Sequence, residues 1–289
     1  MTNKQKRQYR IRNWRDYHKA LIGRGSLTLW IDSRCVDKWL SQERPARRGR
    51  RLTYTDLAVE CCLVLREVYH LPLRATQGLV QSVLRLLSLN LPAPDYSTLS
   101  RRARRVELSL SAHSTKTISH LVIDSSGFKV YGEGEWKVRT HGADKRRTWR
   151  KLHISIDAAT HRITAALLTD KDALERNSVA ALLKQTEAEI GSVCADGAYD
   201  FEQCYRAIKQ AGAVALIPPR PDAVMRGKSP FEQRDENLRG IAERGRKQWK
   251  KVSGYHQRSL VECAFFRLKT LFSERLRSRR TDTQTAEAK

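Results

Sequence analysis

The chain has 289 residues, 40% of them hydrophobic, and a formal charge of +24 from 55 lysines and arginines against 31 aspartates and glutamates. That length holds one large domain or two ordinary ones around a real core. A charge of that size speaks about partners rather than fold, and a polyanion is the partner it favours, since each cation placed on a phosphate releases counterions. A membrane surface would attract the same charge, but no apolar run approaches the roughly 18 residues of a spanning helix and no basic amphipathic helix stands apart.

The six cysteines, Cys35, Cys61, Cys62, Cys194, Cys204 and Cys263, form no C-x-x-C pair. Their spacing supports neither a zinc site nor a disulfide framework, so they read as small apolar core residues of a chain kept in a reducing cytosol. A plain metabolic enzyme is disfavoured by the charge and by the lack of a cofactor-binding loop.

Residues 1–52 carry 15 lysines and arginines against 4 acidic residues, interleaved with Trp14, Trp30 and Trp39. This reads as a basic DNA-contacting segment. From Thr53 the pattern is helical: Thr53 and Asp56 have capping-box spacing, an apolar run follows to Val68, and a second amphipathic run spans 74–89 after a break at "HLPLR". Pro92 and Pro94 end it, Ser97 or Thr98 caps a short helix, and Arg101, Arg102, Arg104 and Arg105 crowd that helix. Residues 53–110 are thus a helical domain. A helix-turn-helix for the major groove has this pattern, and so do many three-helix bundles. "LSLSAHSTKT" reads as a linker.

From His120 the periodicity changes to strands, "HLVIDSSGFKVYG", "WRKLHISIDAATH" and "RITAALLTD". A helix over 177–190, the strand "SVCADG", a helix over 200–211 and the strand "AVALIPPR" follow. The charged stretch 220–251 lacks a clear period and reads as an insertion, and "YHQRSLVECAFFRLK" supplies the last helix. The order implies an α/β domain over 111–289, a mixed sheet with helices on its faces.

Asp124 ends "LVID" and Asp196 ends "VCAD" just before a glycine. Carboxylates at strand ends face the edge where ligands bind. On an α-helix turning about 100° per residue, with Glu262 at zero, Tyr255 falls near 20°, Arg258 near −40° and Lys269 near −20°. These four share one stripe, while Val261, Ala264, Phe265, Leu268, Leu271 and Phe272 form the core face. An exposed i,i+4 pair of Arg258 and Glu262 is the bland reading, worth a few tenths of a kcal/mol. If the two strands are neighbours and the helix packs across them, Asp124, Asp196 and Glu262 converge. That oxygen-only set suits Mg²⁺ or Mn²⁺, two ions of which can serve a phosphodiester displacement. Arg258 and Lys269 would then neutralise phosphates. Asp at a strand end is also a common turn former, and Asp157, Asp170, Asp172 and Asp200 are comparable decoys. Trp136 and Trp149 flank the basic segment holding Arg147, Arg150 and Lys151. Stacking of Trp136 on an unpaired base competes there with core packing.

The spacing Y-x2-R-x3-E-x6-K at Tyr255, Arg258, Glu262 and Lys269 resembles the signature of DDE transposases of bacterial insertion sequences. "RGSLTLWI", "PDYSTLSRR", "SHLVIDSSGFKVYGEGEWKVR", "WRKLH", "ADGAYD" and "LIPPR" resemble blocks of the insertion sequence 5 family, in particular its insertion sequence 903 group, from about residue 10 onward. The resemblance implies a ribonuclease-H-like catalytic domain with Asp124, Asp196 and Glu262 as the metal-binding triad. It also implies an N-terminal domain for terminal inverted repeats, double-stranded DNA as partner, and a homo-oligomer acting at the bacterial nucleoid in the cytoplasm. The family pattern continues past "TDTQTAEAK", whereas this chain stops at Lys289. A truncated copy acting as a DNA-binding repressor and a metal-dependent nuclease without strand transfer are therefore the rival readings.

Overall fold

The computed structural model describes residues 14–23, 33–42, 52–106, 116–130 and 149–289. Trp30, Trp136 and Arg147 lie outside them, as does most of the expected linker. The chain divides into two compact units, Met1–Arg102 and Ala103–Lys289.

The first unit is helical where described: α1 (Trp14–Gly23), α2 (Ser33–Asp37), α3 (Asp56–Val68), α4 (Leu73–Leu86) and α5 (Tyr96–Arg102). The last three pack against one another around buried Leu65, Leu84 and Leu99. Two expected caps are displaced. Thr55, rather than Thr53, caps α3 by accepting the Ala58 N–H at 3.2 Å. Asp95, rather than Ser97 or Thr98, accepts the Ser97 N–H at 2.7 Å at the start of α5. A carboxylate is the stronger acceptor for a helix's unsatisfied donors, and the bonds from Ser97, side chain first and then backbone, hold the Asp95 carboxyl below the usual range. Trp39 is fully buried and donates its Nε1–H to the Pro92 carbonyl at 2.8 Å, so this tryptophan of the basic segment is a packing residue.

Among its described residues the second unit holds a six-stranded mixed sheet. In chain order it runs β1 (Thr117–Val130), β2 (Trp149–Asp157), β3 (Ile163–Asp170), α6 (Val179–Gln185), β4 (Glu189–Cys194), α7 (Glu202–Gln210) and β5 (Val214–Leu216). Then come α8 (Glu232–Val252), a 3₁₀ turn Tyr255–Arg258, α9 (Ser259–Phe272), β6 (Arg275–Leu276) and α10 (Thr281–Ala288). The strands lie in the order β3-β2-β1-β4-β5, with β6 on the far half of β1. β2 is antiparallel to β1 and β3, whereas β4 is parallel to β1 and β5.

The period of two in the strands gives the sheet two apolar faces. Leu121, Ile123, Val193 and Ala195 pack on α6 and α7. Val122, Leu152, Ile154 and Cys194 pack under Trp249, Tyr255, Val261, Ala264 and Phe265 from α8, the 3₁₀ turn and α9. The stretch expected as an insertion contains α8, a helical stretch of 21 residues broken at Gly245, which sits at φ 75°. Its periodicity is hidden because part of its buried face is polar: Gln233 accepts the Ala215 N–H at 2.7 Å and Asn237 donates to the Ala215 carbonyl at 2.9 Å, satisfying the outer edge of β5.

Candidate active site

Asp124 does not end its strand. β1 runs on to Val130 because β2 pairs with it through Lys129 and β6 supports its end. What ends near Asp124 is the β4 partnership, whose last pair is Val122↔Cys194. Among the described residues no strand occupies that edge of β1 again until β6 at Lys129. Asp124 and Asp196 each stand two residues past that last pair. The parallel register therefore sets them level, and the strand period turns both toward the face that α9 covers.

Each aspartate spends one oxygen on its own backbone: Asp124 Oδ1 accepts the Ser125 N–H at 2.8 Å, and Asp196 Oδ1 accepts the Ala198 N–H at 2.9 Å. The other oxygens meet a single guanidinium. Arg258 Nη2 lies 3.0 Å from Asp124 Oδ2 and 4.0 Å from Asp196 Oδ2, and its Nη1 donates to Glu262 Oε1 at 2.6 Å. Side-chain exposure grades from 14% at Asp124 through 24% at Arg258 and 37% at Asp196 to 57% at Glu262, so the cluster opens outward along α9.

Burial lifts the Asp124 carboxyl above the usual carboxylate range, with the Ser125 N–H and Arg258 pulling against that and the charges of Asp196 and Glu262 adding to it. Burial also works against the charge on Arg258, but Asp124, Tyr255, Glu262 and Asp196 outweigh it and leave the guanidinium held more firmly than usual. Beneath them Tyr199 is fully buried, its phenol pushed up by burial and then by Asp124 and Asp196. Sequence reasoning had passed over it, although it lies inside "ADGAYD".

The stripe read on one helix is broken at its start. Gly254, at φ 76°, turns the chain out of α8, and Tyr255–Arg258 is 3₁₀ rather than α. The tighter winding carries Tyr255 inward. It is 8% exposed, its ring centroid is 5.6 Å from that of Trp249, and burial pushes its hydroxyl up to about 12. Lys269 lies with Nζ 5.3 Å from the Phe128 ring centroid. Leu271 and Phe272, expected in the core, are exposed because α9 runs past the sheet there.

The decoys have structural roles. Asp157 accepts from Ala159 N–H and Thr160 Oγ1 in the β2–β3 turn, Asp170 pairs with Arg150, and Asp172 lies 3.9 Å from Lys171. Asp200 is sealed in a pair with Arg234 at 2.8 Å. The flanking cations are also engaged. Arg150 bonds Gln284 and Thr281 as well as Asp170, and Lys151 bonds Glu175 and the Ala173 carbonyl on the opposite face. Trp149 packs by Lys129 and Gly127. Arg102 turns inward to the Tyr54 carbonyl and Asp56. Arg101, Arg104 and Arg105 are exposed, the last two beyond the end of α5. Cys263 is exposed, unlike the other five cysteines.

A family model described as "Transposase DDE domain" matches residues 115–288, and a second with the same description matches residues 22–133. The chain belongs to the DDE transposase family. As a DDE transposase it has DNA as its substrate, and its family generally works with divalent metal ions. Among the described residues no three His, Cys, Asp or Glu side chains are already closed around a metal position. Around Arg258 the donor set nevertheless fits such an ion. Three carboxylates converge on one positive group, the donors are all oxygen as Mg²⁺ and Mn²⁺ prefer, and burial leaves the negative charge at Asp124 poorly solvated. The guanidinium is an incomplete partner for them, since its Nε–H is buried without an acceptor. No helix among the described residues is long and apolar enough to cross a membrane.

Proposed function

We propose that this transposase belongs to the insertion sequence 5 family, insertion sequence 903 group, that it cuts DNA at the terminal inverted repeats of its element, and that it joins the freed 3′ ends to target DNA. The observation that carries the reading is the convergence of Asp124, Asp196 and Glu262 on one cationic group, Arg258. In the first step a water oxygen bonds to phosphorus as the bond to the 3′ oxygen breaks, giving a 3′-hydroxyl and a 5′-phosphate. In the second, that hydroxyl attacks a target phosphodiester and displaces its 3′ oxygen. Each step makes one P–O bond and breaks one, so a single site serves both.

Asp124, Asp196 and Glu262 are the ligands for Mg²⁺ or Mn²⁺. Two such ions held there would supply Lewis acidity, making the attacking oxygen more acidic and stabilising the leaving one. The chain's own contribution is orientation. Backbone N–H groups fix one oxygen of each aspartate, so the other is held toward the DNA without searching rotamers. Arg258, released from the carboxylates, and Lys269 take the phosphate charge, with Tyr255 bracing the turn behind Arg258. Arg147, Arg150 and Lys151 are further phosphate contacts, the last two on giving up their pairs with Asp170 and Glu175, and Trp136 stacks on a base unpaired at the cut.

The helical region, the basic segment 1–52 followed by a domain over 53–110, recognises the repeat. Support for this comes from the exposed Arg101, Arg104 and Arg105 at and just past α5. Synapsis of two ends calls for a homo-oligomer at the nucleoid of a bacterial cytoplasm. The test is strand cleavage of an inverted-repeat duplex in Mg²⁺, with Asp196→Asn beside the wild type. Nicking that stops with EDTA and in the variant, with products joined to a second DNA, supports the reading. Binding without cleavage assigns the chain to repression, and cleavage without joined products assigns it to simple nuclease action.

A further inference from the structure

Phe201 lies just past the Asp196 loop, and two arginines from distant parts of the chain stack on its ring. The guanidinium carbons of Arg176 and Arg220 are each 4.3 Å from the ring centroid. Both guanidinium groups therefore lie in contact with one phenyl ring. Neither has a carboxylate within ion-pair distance among the described residues, whereas Arg150, Arg206, Arg234, Arg258 and Arg280 all do.

The position of this stack is set by the sheet. β4 and β5 are parallel, with Cys194 beside Leu216, so Asp196 is level with Pro218. A Cβ on Gly197 would come within 3.5 Å of the Pro218 carbonyl. Arg220 follows two residues later, its N–H bonded to the buried Asp200 at 3.0 Å. Arg246 reaches the same corner by donating to the Pro219 carbonyl at 3.0 Å. Arg176 comes from the 3₁₀ turn Glu175–Asn177, which packs against the turn Gly197–Tyr199 directly after Asp196. Three cations therefore sit at the ends of β4 and β5, around the turn that follows Asp196.

From this arrangement we infer that Arg176, Arg220 and Arg246 form a phosphate-binding ledge that holds the DNA backbone next to the phosphodiester being cut. Stacking an exposed guanidinium on a ring is weakly favourable, and two like charges on one ring repel each other. An anion alongside both relieves that repulsion. The ring also restricts the side chains before DNA arrives, so less freedom is lost on binding, and the guanidinium fork suits phosphate oxygens.

The inference rests on the proposed action on DNA, and its test separates the two. Affinity of the full chain for an inverted-repeat duplex is measured between 50 and 200 mM salt, with unfolding curves for every variant. Each phosphate contact contributes about 0.9 to the slope of log affinity against log salt. Arg176→Gln with Arg220→Gln should lower the slope by about 1.8, so the wild type loses roughly twelvefold more affinity than the variant over that range. Phe201→Leu keeps both charges but not the stack, and should bind severalfold more weakly at an unchanged slope. Arg206→Gln with Arg280→Gln removes two arginines already paired with carboxylates and should leave the slope as in the wild type. Equal slopes in the wild type and the Arg176/Arg220 variant overturn the ledge, as does an equal drop in the Arg206/Arg280 control or wild-type binding by Phe201→Leu. A wild type whose DNA binding does not respond to salt overturns the DNA reading itself.

Discussion

If Arg258 occupies the oxygens that a divalent cation would use, removing its charge should tighten metal binding. Arg258→Gln deletes two useful contacts. The Asp124 pair, at 3.0 Å between largely buried groups, is a charge-assisted bond worth about 1.5 kcal/mol. The Glu262 pair is shorter at 2.6 Å but more than half in water, and is worth about 0.5 kcal/mol. Asp196, at 4.0 Å, adds little. A cation taking these oxygens must displace about 2 kcal/mol in the wild type and nothing comparable in the variant, a difference of roughly thirtyfold in dissociation constant. Titration calorimetry with Mn²⁺ measures it directly. Lys269→Gln is the control, because that amine lies over Phe128 rather than on the carboxylates; it should change the affinity by less than about threefold. Strand cleavage should fall in Arg258→Gln even as metal binding tightens, since the phosphate has lost its guanidinium. Equal or weaker Mn²⁺ binding by Arg258→Gln, or an equal gain from Lys269→Gln, would refute the reasoning.

Burial, then the Lys151 charge, depresses His153 from 6.5 to about 4. The unfolded chain therefore takes up the proton first, and stability present above pH 6.5 is lost as pH falls toward 4; at pH 5 the loss is about 2 kcal/mol. Urea unfolding from pH 7.5 to 5 should be flatter by that amount in His153→Gln. Arg234→Met leaves the fully buried Asp200 carboxylate without its cation and should cost about 3–5 kcal/mol; adding Asp200→Asn should recover most of it, as denaturant midpoints will show. Gly191→Ala places a methyl 2.8 Å from the Ser119 carbonyl in the β1–β4 ladder. It should cost about 2 kcal/mol in chemical unfolding, and cleavage should fall because the end of β4 sets the position of Asp196.

The two aspartates were legible because each follows an apolar strand run, and parallel register then makes them level. Glu262 and Arg258 were legible from their spacing of four, which survives the change of winding at Ser259. Tyr255 was misjudged because a 3₁₀ turn is not visible in apolar periodicity. The strand read over 120–132 ran past Asp124, as β1 does; what was hidden is its support there, which comes from β2 and from β6, about 145 residues downstream by the Lys129–Glu274 contact. α8 escaped notice because amides and a salt-bridged arginine fill positions where a helix normally buries hydrocarbon. The Arg176–Phe201–Arg220 stack joins three segments and leaves no local pattern.

If Asp124, Asp196 and Glu262 hold one divalent metal site, site-directed oxidation by the metal itself reveals it most directly. Fe²⁺ with ascorbate and peroxide generates radicals that cut the polypeptide beside the bound ion. Peptide mapping should place the cuts near residues 124, 196 and 262, with competition by Mg²⁺ and loss of the cuts in Asp124→Asn with Asp196→Asn. Cuts elsewhere, or cuts that persist in that double variant, would contradict the account.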